Sequence, residues 1–216
     1  PESGPAIIVG NHRSYFDPLA LGVTFAKRGR PVRFLGKKEV FDAPLVGDIA
    51  RALGGIRVER GTGSDAPLLA AETALAAGDL VALMPQGTIP RGRAFFEPEL
   101  KGRYGAARLA HAARVPVIPV GLWGTENVWP RSSKVPNVTN VLNPPTVTVR
   151  IGAPVELAYD SVEADTERIM AAIMRQLPSS AREYREPTEA EIRRASPSGT
   201  LDDDAAHEAD RRPGTD

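Results

Sequence analysis

A histidine and an aspartate five positions apart dominate the chemistry this chain can offer. The segment Asn11-His12-Arg13-Ser14-Tyr15-Phe16-Asp17-Pro18 follows directly on the apolar run Ala6-Ile7-Ile8-Val9. On an unbroken helix a spacing of five turns two side chains about 140° apart, so His12 and Asp17 meet only if the chain loops between them. The flanks predict such a loop. Ala6 to Val9 reads as a buried strand, and Asp17-Pro18 followed by Leu19, Leu21 and Val23 reads as a helix start, with Asp17 as N-cap and Pro18 at the first helical position. His12 then lies on the loop at a strand's carboxyl end, where open α/β sheets place their sites. A carboxylate on one ring nitrogen fixes the tautomer and leaves the other nitrogen as a general base. Taken alone, Asp17 is equally a helix cap and His12 an ordinary loop residue.

Further segments follow in order: Gly36-Lys37-Lys38-Glu39-Val40, Gly55-Ile56-Arg57-Val58-Glu59-Arg60, Pro85-Gln86-Gly87-Thr88, Leu100-Lys101-Gly102 and Val115-Pro116-Val117-Ile118-Pro119-Val120. With Asn11-His12-(four residues)-Asp17 they resemble the signatures of the glycerolipid acyltransferases, the family of the 1-acylglycerol-3-phosphate O-acyltransferases, in the right order and at the usual distances. Pro85-Gln86-Gly87-Thr88-Ile89-Pro90-Arg91 departs from the family's third signature, Pro-Glu-Gly-Thr-Arg: glutamine replaces glutamate, and isoleucine stands where arginine is expected. With Gly121-Leu122-Trp123-Gly124-Thr125-Glu126 downstream, the chain looks like a bacterial lysophosphatidic acid acyltransferase subgroup.

The resemblance implies acyl transfer from a thioester, acyl-CoA or acyl carrier protein, to the free hydroxyl of 1-acylglycerol-3-phosphate, giving phosphatidic acid in phospholipid synthesis. His12 is then the base and Asp17 its orienting carboxylate, with no protein nucleophile and no cofactor. The implied substrate-binding residues are Asn11, Lys37, Arg60, Gln86, Gly87, Thr88 and Arg91. Lys37 and Arg60 would hold the acceptor's phosphate, Arg91 would replace the missing arginine, and amides near Gly87 and Thr88 would meet the oxyanion. The altered third signature keeps another lysophospholipid, a glycolipid or a polyol open as acceptor. A non-catalytic lipid-binding module of the same fold needs no general base, and thioester hydrolysis needs no phosphate anchor, so His12 with Asp17, and Lys37 with Arg60, speak against these two.

The 216 residues fit one domain, and 42% hydrophobic residues suffice for its core. The absence of cysteine rules out disulfides, thiolate metal sites and a cysteine nucleophile. His12, His111 and His207 are scattered and suggest no metal site. The formal net charge of zero hides an asymmetry: residues 186–216 carry nine acidic and four basic residues, which leaves the body basic. A basic body suits a phosphorylated substrate and an anionic membrane surface, and nothing in the sequence points to nucleic acid. No apolar run approaches the ~20 residues that span a bilayer. The family usually carries preceding sequence that docks on the membrane. The chain therefore reads as an N-terminally truncated piece of a protein held at the cytoplasmic side of the cell membrane, peripherally or through that missing sequence.

Short β-like runs alternate with helical ones. The strands are expected at 6–9, 32–35, 56–59, 80–84, 117–122 and 146–151, and the helices at 18–27, 45–53, 66–77, 104–114 and 162–177. This predicts a single layered α/β domain over residues 1–178, a mostly parallel central sheet flanked by helices. Residues 179–216 read as a charged tail, with a short helix around Thr188 to Arg194, too poor in apolar residues to join a core, and then disorder. Arg131 to Pro145 is expected as an extended loop, and Trp123 and Trp129 at its entrance are either partly buried aromatics or lipid-facing ones.

Overall fold

A computed structural model of the chain describes residues 2–37, 41–42, 47–48, 51, 54–58, 66–137 and 142–201. Its elements run β1 (Ala6–Gly10), α1 (Asp17–Ala26), β2 (Val32–Lys37), β3 (Ile56–Val58), α2 (Ala66–Ala76), β4 (Leu80–Leu83), a 3₁₀ turn (Gly92–Phe96), α3 (Gly105–Ala113), β5 (Val117–Trp123), α4 (Thr125–Val128), β6 (Thr148–Ile151), α5 (Val162–Gln176) and α6 (Glu189–Ala195). These match the alternation expected from the sequence. The helix expected at 45–53 lies largely outside the described residues.

The strands form one sheet in the order β3-β2-β4-β1-β5-β6, parallel throughout except for β6, which runs antiparallel to β5. Alternation along the pleat sends successive side chains to opposite faces. Ile7 and Val9 of β1, with Val81 and Val117, pack beneath α2, α3 and α5 through Leu75, Leu109, Ile169 and Ile173. Ala6 and Ile8, with Leu80, Ile118 and Val120, pack against Leu21 and Phe25 of α1 on the other face. Both faces of the sheet are covered, which is why its central strands read as continuous apolar runs.

The strand order decides where a site can form. From β1 the chain passes through α1 to β2, on one side of β4, whereas from β4 it passes to β5, on the far side of β1. The loops leaving these neighbouring strands diverge, and the crevice between their carboxyl ends is where doubly wound sheets bind ligands. The two loops are residues 11–16 and 84–91, the first and fourth of the segments singled out above.

The charged tail behaves differently from its composition. Its expected helix forms as α6, with a capping box in which Thr188 and Glu191 exchange side-chain and backbone bonds. That helix is docked. Ile192 and Ala195 are 3% and 5% exposed, and Ala195 forms an apolar cluster with Ile89 and Phe95 that Phe96 flanks. Arg93 and Glu186 form an ion pair, and Arg185 lies over the Phe96 ring. The sequence expectation of an undocked tail is corrected for residues 185–196: two apolar residues three apart share one helix face and suffice to anchor a single short helix. The expected disordered end, 202–216, lies outside the described residues.

Candidate active site

β1 delivers the chain to Asn11, whose amide is buried and clamps β5 by both ends: Nδ2 donates to the Leu122 carbonyl at 2.9 Å, and Oδ1 accepts from the Leu122 amide at 2.7 Å. The resemblance assigns Asn11 to the substrate, and the residue does line the cleft beside His12. Its side chain fixes the start of the loop against the neighbouring strand.

His12 comes next, and its Nδ1 lies 2.8 Å from Oδ2 of Asp17. Asp17 is fully buried, and the same oxygen accepts the backbone amides of Arg13 and Ser14, each at 2.7 Å. The loop therefore wraps around the carboxylate. The N-cap of α1 is Phe16 rather than Asp17, no side chain caps the helix, and Asp17 is its first residue. The capping expectation is corrected because the carboxylate faces back into the loop. An ionised carboxylate only accepts, so the ring proton sits on Nδ1 and Nε2 carries a lone pair. The other carboxylate oxygen, Oδ1, is buried without a hydrogen-bond partner among the described residues.

The segment at Pro85–Thr88 reaches the same loop from β4. Gln86, 8% exposed, accepts the His12 backbone amide on Oε1 at 2.7 Å. The resemblance assigns Gln86 to the substrate; the structure also gives it the His12 main chain. Gly87 adopts a left-handed φ of +71°, and a Cβ there would stand 2.7 Å from Nε of Arg103. The Gly87 amide donates to the Met84 carbonyl at 2.8 Å, so it closes the turn and does not serve an oxyanion. The left-handed turn is what favours glycine here. Thr88 and Arg91 follow on the same connection but do not line the cleft beside His12, whose walls include Gln86, Phe95, Glu97, Glu99, Leu100 and Leu177. Ile89, where arginine is expected, is 1% exposed and packs with Phe95 and Ala195.

Of the expected phosphate ligands, Lys37 closes β2, while its side chain and all of Arg60 lie outside the described residues. Ser14 is fully buried, donates to the Trp129 carbonyl at 2.6 Å and accepts from the Phe16 amide, so it is a loop staple rather than a nucleophile. Trp123 and Trp129 are partly buried and both have protein partners: Trp123 faces Arg13, and Trp129 meets the Tyr15 ring edge-on at 5.6 Å. Sequence reasoning passed over Arg13. Its guanidinium lies 4.2 Å from the Phe95 ring centroid and 4.3 Å from that of Trp123, and its Nε and Nη2 donate to Oε1 of Glu126 at 3.1 and 2.9 Å. The only signal available was its place beside His12, since Glu126 is 113 residues away.

A second histidine–aspartate pair, also missed, joins α3 to α5. His111 Nε2 lies 2.8 Å from Oδ2 of Asp165, which also accepts amides from Ala158 and Tyr159 and an Nη1 bond from Arg168. Burial pushes the Asp165 carboxyl up, but the bonds from Arg168, His111, Ala158 and Tyr159 together outweigh it and hold it at about 2. Both its oxygens are satisfied, as suits a structural tie. Among the described residues no group of three or more His, Asp or Glu could hold a metal ion.

The model of the family described as Acyltransferase matches residues 1–123. Relatives 31% identical over 143 residues include uncharacterized proteins of Mycobacterium tuberculosis, Rv0502, and of Mycobacterium leprae, ML2427; the match covers 62% of this chain, and 38% and 37% of those proteins. The chain thus spans well under half the length of these relatives. Among solved structures, the 1-acyl-sn-glycerophosphate (LPA) acyltransferase PlsC from Thermotoga maritima superposes with a TM-score of 0.59 at 23% identity, over 81% of this chain and 66% of that one, which establishes a shared fold.

Proposed function

We propose that this chain, which belongs to the acyltransferase family, transfers a fatty acyl group from an acyl thioester to the free hydroxyl of 1-acylglycerol-3-phosphate. The observation that carries this reading is the His12–Asp17 pair: a buried carboxylate holding one ring nitrogen at 2.8 Å, on a histidine that lines a cleft. Nε2 of His12 takes the hydroxyl proton as that oxygen attacks the thioester carbonyl. A tetrahedral intermediate forms, its collapse breaks the C–S bond, and the departing thiolate recovers the proton from the imidazolium that Asp17 stabilises. The acceptor's own hydroxyl is the nucleophile, in keeping with the burial of Ser14. Either acyl-CoA or acyl carrier protein can present the thioester.

Lys37 and Arg60 are the proposed ligands of the acceptor's phosphate. A guanidinium grips phosphate with two parallel bonds, and an ammonium adds a point charge. The product is phosphatidic acid, and the setting is the cytoplasmic face of the membrane with the protein bound at its surface; among the described residues no helix is long and apolar enough to cross. The test supplies acyl-CoA and lysophosphatidic acid to the purified chain, follows free thiol and identifies the lipid formed. Thiol release that depends on the acceptor, yields phosphatidic acid and disappears in His12→Ala supports the reading. Thiol release without acceptor means hydrolysis, and activity retained in His12→Ala removes the base.

A further inference from the structure

The guanidinium of Arg13 lies within 4.3 Å of the centroids of two aromatic rings that reach the site from different elements. Phe95 belongs to the 3₁₀ turn that walls the cleft, and Trp123 ends β5. Glu126, in α4, takes two of its N–H groups on one oxygen. The side chains of Arg13 and Glu126 are only 15% and 18% exposed, so this pair is shielded far better than a surface ion pair. The backbone amide of the same residue donates to the Asp17 oxygen that holds the His12 ring. One residue therefore ties the catalytic pair, by its main chain, to the cleft wall, by its side chain.

The wall itself is backed from behind. Phe95 packs with Ile89 and with Ala195 of α6, and Arg185 lies over neighbouring Phe96. Contacts thus run from α6 through Phe95 and Arg13 to the loop that carries His12. We propose that Arg13 is a positioning residue for acyl transfer, setting the distance between the His12 ring and the wall against which substrate lies. This rests on His12 being the general base. Arg13 lines the cleft but acts through other residues: its guanidinium rests on the Phe95 and Trp123 rings, and its Nε and Nη2 are engaged by Glu126.

A positioning residue changes turnover more than binding, because misplacing a base by about 1 Å costs up to ~10² in rate while contacts to substrate remain. The test measures kcat and KM for acyl-CoA and for lysophosphatidic acid with Arg13→Ala and Arg13→Lys, beside thermal unfolding of each and the His12→Ala control. In Arg13→Ala, kcat falls roughly ten- to hundredfold with both KM values within about threefold. Arg13→Lys falls less: it keeps the charge and a bond to Glu126, but an ammonium cannot lie flat on the rings. If Arg13→Ala fails to fold, the same split between kcat and KM is read in Arg13→Lys. A selective rise in acceptor KM with unchanged kcat makes Arg13 a substrate ligand and overturns the proposal. A kcat loss that only tracks the unfolded fraction overturns it as well. Inactive His12→Ala with normal Arg13 variants refutes this inference alone, whereas active His12→Ala refutes the proposed function and the inference with it.

Discussion

Replacing Asp17 by asparagine separates a base-orienting carboxylate from a merely structural one. Three donors converge on Oδ2: Nδ1 of His12 at 2.8 Å and the amides of Arg13 and Ser14 at 2.7 Å. The asparagine side chain keeps one acceptor oxygen, so the two amides can still be satisfied, each bond weakened from charge-assisted to neutral. Taking about 1 kcal/mol lost for each weakened bond, the loop loses roughly 2 kcal/mol. The ring suffers more. Because one oxygen serves all three donors, the asparagine oxygen keeps the Nδ1–H bond as well, but a neutral amide forms no ion pair with the imidazolium that arises when Nε2 takes the hydroxyl proton. Positioned general bases contribute about 10²–10⁴ in rate, equivalent to roughly 3–5 kcal/mol of barrier. Acceptor-dependent thiol release by Asp17→Asn should therefore fall at least a hundredfold, with the folded state retained in thermal unfolding and by circular dichroism. Activity within threefold of the parent chain, combined with a lowered melting temperature, would refute the reasoning and reduce Asp17 to a staple of the loop.

Gln86→Glu retains an acceptor for the His12 amide but adds a negative charge to a cleft already lined by Glu97 and Glu99, against the phosphate of the proposed acceptor; kcat/KM for lysophosphatidic acid should fall about three- to thirtyfold, or roughly 0.7–2 kcal/mol. Gln86→Ala orphans that amide and should cost at least as much, and the reverse order in steady-state kinetics refutes the tether. A chain ending at residue 186 lacks α6 and uncovers Ile89 and Phe95. Losing a buried isoleucine forfeits about 1.5–3 kcal/mol, so its melting temperature should drop by several degrees and its kcat should fall, and an unchanged melting curve would show that α6 is not docked. The Asp165 carboxyl titrates at about 2 in the folded chain against 3.8 when free, so its stabilisation, about 2 kcal/mol, is complete above pH 4 and is lost as pH falls toward 2. Chemical denaturation at pH 5 and pH 2.5 should show that slope in the parent chain and a smaller one in Asp165→Asn.

The alternation of strands and helices was legible because both sheet faces are covered, which leaves uninterrupted apolar runs such as Ala6 to Val9 and Leu80 to Leu83. Strand order was not, since nothing local in β4 says that it inserts between β1 and β2. His12 and Asp17 were legible as a pair, but the direction of the carboxylate was set by the path of the loop, which spacing does not encode. The docking of α6 was in part readable: Thr188 and Glu191 spell a capping box, and Ile192 and Ala195 share a face. Averaging over a charged tail concealed that signal. The 3₁₀ turn at Gly92–Phe96 owes its form to tertiary contacts that no window of sequence contains.

The two departures in the third signature acquire a common physical basis once α6 is in place. Ile89 is 1% exposed beneath that helix, so an arginine in its position would bury a guanidinium among Phe95, Ala195 and Phe96 or force the helix away. Removing a charge from water without a partner costs several kcal/mol, more than docking one short helix returns. Isoleucine at 89 and a docked α6 thus require each other. Gln86 fits the same arrangement, because its task toward His12 needs an acceptor oxygen, which a neutral amide supplies without adding charge to a cleft already lined by Glu97 and Glu99. In this chain the third signature holds the base loop and the cleft wall in register through packing and one hydrogen bond. Recognition of the acceptor's phosphate then falls to cations outside that signature, for which Lys37 and Arg60 remain the proposed pair.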